Sequence, residues 1–179
     1  MMGFQGFLRP RPDQRGAGVN SIKSIQNGLA SITPGTTNSN VPISKVDSSK
    51  SIILVSFEAG AGISSDDNTY VRADWLSDEM FQLTRKGSVG QVTINWTVIE
   101  FVGIKSLQSG FVTLTANPQT VAISEVNPSK CAVFYSYTSY ATNVIRENVR
   151  CFVSSPTQLT FRQQDLTTKE LRWFLVEFF

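Results

Sequence analysis

The stretch that decides the fold is residues 96–110, Trp-Thr-Val-Ile-Glu-Phe-Val-Gly-Ile-Lys-Ser-Leu-Gln-Ser-Gly, because both of its halves occur twice in the chain. The first half, residues 96–101, resembles residues 173–178, which read Trp-Phe-Leu-Val-Glu-Phe. The second half, residues 104–110, resembles residues 22–28, which read Ile-Lys-Ser-Ile-Gln-Asn-Gly. One copy of a repeat therefore ends where the next begins, and the sequence predicts a tandem duplication.

Further matches extend the duplication over most of the chain. Residues 41–50 (Val-Pro-Ile-Ser-Lys-Val-Asp-Ser-Ser-Lys) match residues 121–130 (Val-Ala-Ile-Ser-Glu-Val-Asn-Pro-Ser-Lys). Shorter matches join Val71-Arg72 to Val149-Arg150 and Leu83-Thr84 to Leu159-Thr160. We therefore predict three parts: an N-terminal arm at residues 1–20, repeat one at residues 21–102 and repeat two at residues 103–179.

The apolar residues of each repeat form short runs rich in β-branched and aromatic side chains, and turn formers separate these runs. This pattern is typical of antiparallel strands, and no stretch shows a sustained helical period. The predicted fold is all-β, with two tandem antiparallel β-sandwich domains and an extended N-terminal arm. In repeat one the strand candidates are residues 29–33, 40–46, 51–57, 69–76, 80–85 and 91–101.

The closing strand of repeat one predicts how the two domains meet. Ile94, Trp96 and Val98 alternate with polar residues, which is the pattern of a half-buried strand. The alternation breaks at the end, where Ile99 and Phe101 are apolar on the face that began polar. Both faces should be covered there, so we predict a rigid pair of domains whose junction packs through Ile99, Phe101, Val102 and Gly103.

Composition argues against several classes of function. The net charge is +2, and the arginines of the first twenty residues account for the excess, so the repeats lack the basic surface that nucleic-acid binding requires. No apolar run approaches the ~20 residues of a membrane span. The chain has no histidine, the commonest general base and metal ligand. We therefore expect no nucleic-acid or membrane partner, no metal, no cofactor and no enzymatic activity.

The N-terminal arm has two interpretations. It carries prolines and glycines without a helix or strand period, and it lacks the continuous apolar region of a secretory signal, so synthesis in the cytoplasm is expected. It is either a flexible leader or an arm that becomes ordered by docking on a partner. In the second case its apolar anchors and polar rim would be Phe4, Phe7, Leu8, Arg9, Arg11 and Arg15.

Lysine and glutamate recur at matching places in the two repeats. Lys23 and Glu100 lie near the start and end of repeat one, and Lys105 and Glu177 do so in repeat two. If the first and last strands of each sandwich are neighbours, these residues should form two equivalent ion pairs. A glycosidase needs two converging carboxyl groups, whereas each closing strand offers one beside a lysine, so a structural role is expected.

Both cysteines, Cys131 and Cys151, lie in repeat two, and their counterparts in repeat one are Ser51 and Ala73. They fall on consecutive strand candidates, so a hairpin could place them opposite each other. One interpretation is that the two cysteines form a disulfide. The other is that they are two small buried core residues with free thiols, because folding in the cytoplasm favours thiols.

Aromatic residues are the one feature that could mark a ligand surface. Tyr135, Tyr137 and Tyr140 are candidates for a platform that stacks on sugars, although aromatic residues also fill cores and interfaces. This pattern keeps open a second class of function, a receptor-binding, lectin-like adhesin that recognises host surface glycans.

Three motifs together resemble small structural proteins of tailed bacteriophages: Ile-Lys-Ser-Ile/Leu-Gln-x-Gly, Val-Asp/Asn-x-Ser-Lys, and a closing Val-Ile-Glu-Phe or Leu-Val-Glu-Phe. The resemblance covers residues 21–179. It implies a virion component of tail, baseplate, fibre or capsid-decoration type, made in the host cytoplasm, whose partners are other virion proteins. A homo-oligomer is also expected, because three chains would present six similar domains and so fit trimeric or hexameric positions.

Overall fold

The computed structural model describes residues 21–60, 63, 66–140, 148–164 and 166–179, and its described part is all-β. Repeat one supplies six strands: β1 (Ser21–Ile32), β2 (Asn38–Pro42), β3 (Ser51–Ala59), β4 (Arg72–Ser77), β5 (Met80–Thr84) and β6 (Val92–Val102). Repeat two supplies the other six: β7 (Ser106–Leu114), β8 (Gln119–Ala122), β9 (Cys131–Ser139), β10 (Val149–Ser155), β11 (Gln158–Gln163) and β12 (Lys169–Glu177). The predicted fold class, two tandem antiparallel β-sandwiches, is confirmed.

The strand order is the same in the two repeats. Repeat one has one sheet of order β1-β6-β3 and one of order β2-β5-β4, and repeat two has the corresponding sheets β7-β12-β9 and β8-β11-β10. Every pairing between neighbouring strands is antiparallel. In each repeat the first and last strands are neighbours, as the proposed lysine–glutamate contacts require.

The register of the strands corrects one of the sequence matches. Val41 pairs with Phe81 in repeat one, and the matching Val121 pairs with Leu159 in repeat two. Phe81 therefore corresponds to Leu159, and Leu83 corresponds to Phe161, so the match of Leu83-Thr84 with Leu159-Thr160 was displaced by two residues. Because side chains alternate with a period of two, this displacement kept every residue on the correct face.

The described residues form two clusters of buried apolar side chains, and strand β12 contributes to both. Leu171, Trp173 and Leu175 point into the core of repeat two. On the opposite face of the same strand, Phe174 and Val176 belong to the core cluster of repeat one. This burial of both faces explains why β12 reads as an almost continuous apolar run.

The two sandwiches meet edge to face. Strands β3 and β4, which are edge strands of the two sheets of repeat one, lie against the outer face of β9 and β12. At the connection, Phe101 is 7% exposed and Ile99 packs against the first core cluster. Val102 and Gly103, predicted to pack there, are exposed instead, and Gly103 makes the turn with φ 75°. A positive φ of this kind favours glycine.

Candidate functional site

A buried carboxylate in repeat one gathers all three repeated motifs. The side chain of Glu100 is 3% exposed, and its Oε1 accepts hydrogen bonds from Lys23 Nζ at 2.7 Å and from the backbone N–H of Asp47 at 3.0 Å. Its Oε2 accepts a hydrogen bond from Ser24 Oγ at 3.0 Å. The hydrogen bond from Lys23, together with those from Asp47 and Ser24, outweighs burial and lowers the pKa of Glu100.

Repeat two builds the same cluster around Glu177, whose side chain is 1% exposed. Its Oε1 accepts from Lys105 Nζ at 2.7 Å and from the backbone N–H of Asn127 at 2.8 Å, and its Oε2 accepts from Ser106 Oγ at 3.2 Å. The hydrogen bond from Lys105 is the main reason that the pKa of Glu177 is lowered. Both predicted ion pairs are confirmed. Each carboxylate is engaged by three protein donors, which suits a structural role.

The other repeated residues also have paired structural roles. The side-chain amide of Gln26 bonds to the backbone of Ser44 in both directions, accepting from its N–H and donating to its C=O at 2.8 Å each. Gln108 makes the same pair of bonds to Ser124, at 2.8 and 3.0 Å. These side chains act like an extra peptide unit that joins the first strand to the segment after the second.

The glycine that ends each copy of the opening motif faces the repeated tryptophan. A Cβ at Gly28 would lie 2.6 Å from Cζ2 of Trp96, and a Cβ at Gly110 would lie 2.6 Å from Cζ2 of Trp173. Contacts this short do not occur between carbon atoms, so the indole ring occupies the space that any other side chain would need. The close approach of ring to backbone therefore explains why glycine stands at both positions.

A network of ion pairs joins the two repeats. Asp74 accepts from Arg72 Nε within β4 and from Arg172 Nε of β12, the latter at 2.8 Å. Glu170 of β12 accepts from Arg72 Nη1 and, at 2.7 Å, from Lys86 Nζ. Burial works against the charge of Glu170, but the hydrogen bonds from Lys86 and Arg72 prevail and lower its pKa.

A backbone contact accompanies this network. The N–H of Ala73, on edge strand β4, donates to Ser136 Oγ of β9 at 3.0 Å. Close by, the ring of Tyr70 in repeat one stacks on Tyr137 of repeat two, with centroids 4.8 Å apart. The junction between the repeats therefore combines apolar packing, ion pairs and a hydrogen bond from the edge strand β4.

The three candidate glycan-facing tyrosines do not share one exposed surface. Tyr135 packs in the core of repeat two and donates its hydroxyl hydrogen to the C=O of Val149. Tyr137 lies in the stack at the junction. Tyr140 is 50% exposed, with Lys86 Nζ 4.5 Å from its ring centroid.

The two cysteines do not lie opposite each other in a hairpin, as one of the two interpretations required. Strand β9, which starts at Cys131, pairs with β12, whereas β10, which carries Cys151, pairs with β11 in the other sheet. The chain crosses between sheets where the sequence suggested a hairpin. Both residues are free thiols, and burial raises the pKa of Cys151 to about 12. The structure supports the second interpretation, in which both pack beside the core of repeat two.

The candidate docking residues of the arm, Phe4, Phe7, Leu8, Arg9, Arg11 and Arg15, lie outside the described residues.

Two features of the structure were not predicted from the sequence, and the first is the buried Arg85. Arg85 is 1% exposed, and its guanidinium donates to the carbonyl oxygens of Thr33, Thr36, Asn68, Val89 and Gly90. Only a turn could be predicted there from the residue types, because backbone carbonyl groups are present at every residue and do not show which ones will bind Arg85.

The second missed feature is an apolar surface on repeat one. The outer face of sheet β1-β6-β3, meaning the face turned away from the core of repeat one, exposes Ile22, Ile25 and Leu29 by 51%, 55% and 68%. It continues into a groove of about 460 Å³ beside the junction, lined by Ser21, Ile22, Ile52, Ile99, Phe101, Phe134 and Phe178. Burial of Ile52 and Phe101 at the edge of this surface shows that repeat two already covers part of it.

In the part of the chain that the structure describes, neither a metal centre nor a membrane-spanning helix is found. Within the described ranges, no three His, Cys, Asp or Glu side chains are grouped so that they could hold a metal ion. The same residues include no helix that is long and apolar enough to cross a membrane.

No protein-family model matches this chain, and comparisons with curated proteins and with solved structures give no match either.

Proposed function

We propose that this chain is a non-enzymatic structural component of a tailed-bacteriophage virion, which binds neighbouring proteins through its sandwich faces and its N-terminal arm. The observation that carries the proposal is the outer face of sheet β1-β6-β3, where three large apolar side chains and an apolar groove form one continuous surface. Surfaces of this kind on soluble proteins mark sites of interaction with other proteins. The virion assignment rests on the resemblance of the repeated motifs.

The roles of the charged residues also favour assembly over catalysis. Glu100 and Glu177 are each held by a lysine, a serine and a backbone N–H, so neither is poised to exchange a proton with a substrate. Asp74 and Glu170 are engaged in ion pairs between the repeats. Two domains that pack on each other and expose an apolar face would suit a particle made in the host cytoplasm.

A glycan-binding adhesin is the weaker candidate. Of the three tyrosines that suggested it, Tyr135 and Tyr137 are used in packing, and Tyr140 is the exposed one. A single ring that already interacts with Lys86 and Glu170 is a small platform for a sugar. Binding of the chain to a glycan array that is abolished by Tyr140→Ala would favour this alternative.

Incorporation into particles tests the proposal. The doubly charged variant Ile25→Glu/Leu29→Glu should be depleted from purified particles, as measured by quantitative mass spectrometry. The matched control, Asn38→Glu/Thr115→Glu, adds the same charge at exposed positions outside the outer face and should be incorporated normally. Deletion of residues 1–20 tests the arm in the same way. If every variant enters particles as the unaltered chain does, or if the chain is never found in particles, the proposal is wrong.

A further inference from the structure

The contact between the two repeats joins two different surfaces, an edge of repeat one and a face of repeat two. Each repeat has both kinds of surface, so one face and one edge are not used by this contact. Within one chain, the β3/β4 edge of repeat one packs on the outer face of sheet β7-β12-β9. Repeat one has the corresponding outer face, on sheet β1-β6-β3, and repeat two has the corresponding edge, formed by β9 and β10. A contact that joins different surfaces in this way can be repeated from one molecule to the next.

We propose that the outer face of sheet β1-β6-β3 binds the β9/β10 edge of a second copy of this chain, in the arrangement by which repeat two already binds repeat one. This proposal rests on the proposed assembly function and names the partner of the outer face. Head-to-tail binding of this kind produces a closed ring of chains or an open fibre, depending on the rotation between neighbours.

Exposure at equivalent positions supports the proposal. Ile25 pairs with Ile99 in repeat one as Leu107 pairs with Val176 in repeat two, so Ile25 and Leu107 are equivalent. Leu107 packs against the core cluster of repeat one, and Val176 is fully buried by the same contact. Ile25, which has no such cover, is 55% exposed. A second copy bound in the same arrangement would cover it.

The hydrogen bond between Ala73 and Ser136 has equivalent residues at the proposed contact between copies. In the contact within the chain, the N–H of Ala73 donates to Ser136 Oγ. The register of the sheets makes Cys151 equivalent to Ala73, and Ser56 equivalent to Ser136. Ser56 is an exposed serine on the outer face. The N–H of Cys151 in one copy could therefore donate to Ser56 Oγ in the next.

The Asp74–Arg172 ion pair of the contact within the chain has uncharged residues at both equivalent positions, whereas Arg72 corresponds to Arg150, which keeps its charge. Arg172 and Glu170 on the covered face correspond to Asn95 and Thr93 on the outer face. Asp74 on the β4 edge corresponds to Phe152 on the β10 edge, where the ring lies 5.0 Å from the guanidinium of Arg150. The contact between copies would thus replace the Asp74–Arg172 ion pair by Phe152 against Asn95, without burying the unpaired partner of that pair.

This correspondence provides a specific test. Phe152→Asp combined with Asn95→Arg recreates, between copies, the ion pair that Asp74 and Arg172 form at 2.8 Å within the chain. Phe152→Asp combined with Asn95→Asp instead places two like charges together. Sedimentation velocity over a concentration series should show that the first variant associates, whereas the second has a dissociation constant at least about tenfold higher, which corresponds to ~1.4 kcal/mol. Far-UV circular dichroism and thermal unfolding confirm that both are folded.

Other occupants of the outer face predict different results. If two copies bound outer face to outer face, the residue at position 152 would not matter, and Phe152→Asp alone would leave association unchanged. If the arm covered the outer face, deleting residues 1–20 would abolish association or increase it. Either result, or a chain that stays monomeric at its highest soluble concentration, would overturn the proposal. A different result would count against the assembly role itself. In that case the two double variants at positions 95 and 152 would associate in solution as predicted, yet both would be incorporated normally into particles.

Discussion

Replacement of Glu177 by alanine tests whether one buried carboxylate holds three segments of repeat two together. The change removes the acceptor for Lys105 Nζ at 2.7 Å, for the N–H of Asn127 at 2.8 Å and for Ser106 Oγ at 3.2 Å. The ion pair contributes about 0.2–1 kcal/mol, because the Lys105 side chain is 52% exposed. Leaving the N–H of Asn127 without its acceptor costs about 1–3 kcal/mol more. We expect the free energy of unfolding to fall by about 1–4 kcal/mol in total.

Two matched variants separate these contributions. Glu177→Gln keeps an oxygen for the N–H of Asn127 and should cost about 1 kcal/mol, and Lys105→Met should cost less than about 1 kcal/mol. Denaturant and thermal unfolding followed by circular dichroism give the values, and 1 kcal/mol corresponds to about 2–4 °C in Tm for a chain of this size. If Lys105→Met destabilises the protein as much as Glu177→Ala does, the reasoning is refuted, because the ion pair would then be the main contribution.

Three further predictions concern the pH, a glycine and a thiol. Because hydrogen bonds lower the pKa of Glu100 and Glu177 below the ordinary 4.5, their stabilisation should be complete above about pH 4.5 and should be lost as the pH falls through their folded-state pKa; glutamine at both positions should flatten this loss in acid unfolding curves. Gly110→Ala should cost about 1–3 kcal/mol in denaturant unfolding by forcing Trp173 to move, and an unchanged stability would contradict the packing. With its pKa at about 12, Cys151 should react slowly with iodoacetamide at pH 8 in the folded protein, and labelling at the unfolded rate would show that the thiol is accessible.

The sequence predicted the duplicated fold and the two ion pairs because both depend on residues that occur twice. Lys23 and Glu100 are far apart in the chain, but their repetition as Lys105 and Glu177 showed that they act together. The length of β1 was not predicted. Its first half is polar on the face that bonds to Glu100, so the strand pattern was recognised only from Leu29 onward.

The hairpin that the cysteine positions suggested does not form, for a physical reason. Cys131 and Cys151 lie on consecutive strands, and consecutive antiparallel strands often form a hairpin. Here β9 and β10 belong to opposite sheets of the sandwich, and the match to β3 and β4 in repeat one could not reveal this, because the same crossing occurs there. Whether a connection turns back within a sheet or crosses to the other depends on the packing of the whole sandwich.

One clear difference between the two repeats lies on a surface that faces something other than the repeat itself. The residues that bind the buried carboxylate are the same in both copies, apart from the exchange of Asp47 for Asn127, which contributes its backbone N–H. By contrast, the outward face of the closing strand has Thr97 in repeat one and Phe174 in repeat two, and Phe174 is 1% exposed.

The difference between the two outward faces is explained by what each face contacts: a neighbouring repeat within the chain, or the proposed second copy. The contact within the chain is intramolecular, so its two surfaces are always close together. Partly buried ion pairs can therefore accumulate there without causing association with wrong partners. A surface that meets its partner only during assembly must also stay soluble before it does so. The outer face of repeat one fits that condition, because its most exposed apolar residues, Ile22, Ile25 and Leu29, lie along edge strand β1, while Thr93, Asn95 and Thr97 lie on the central strand β6.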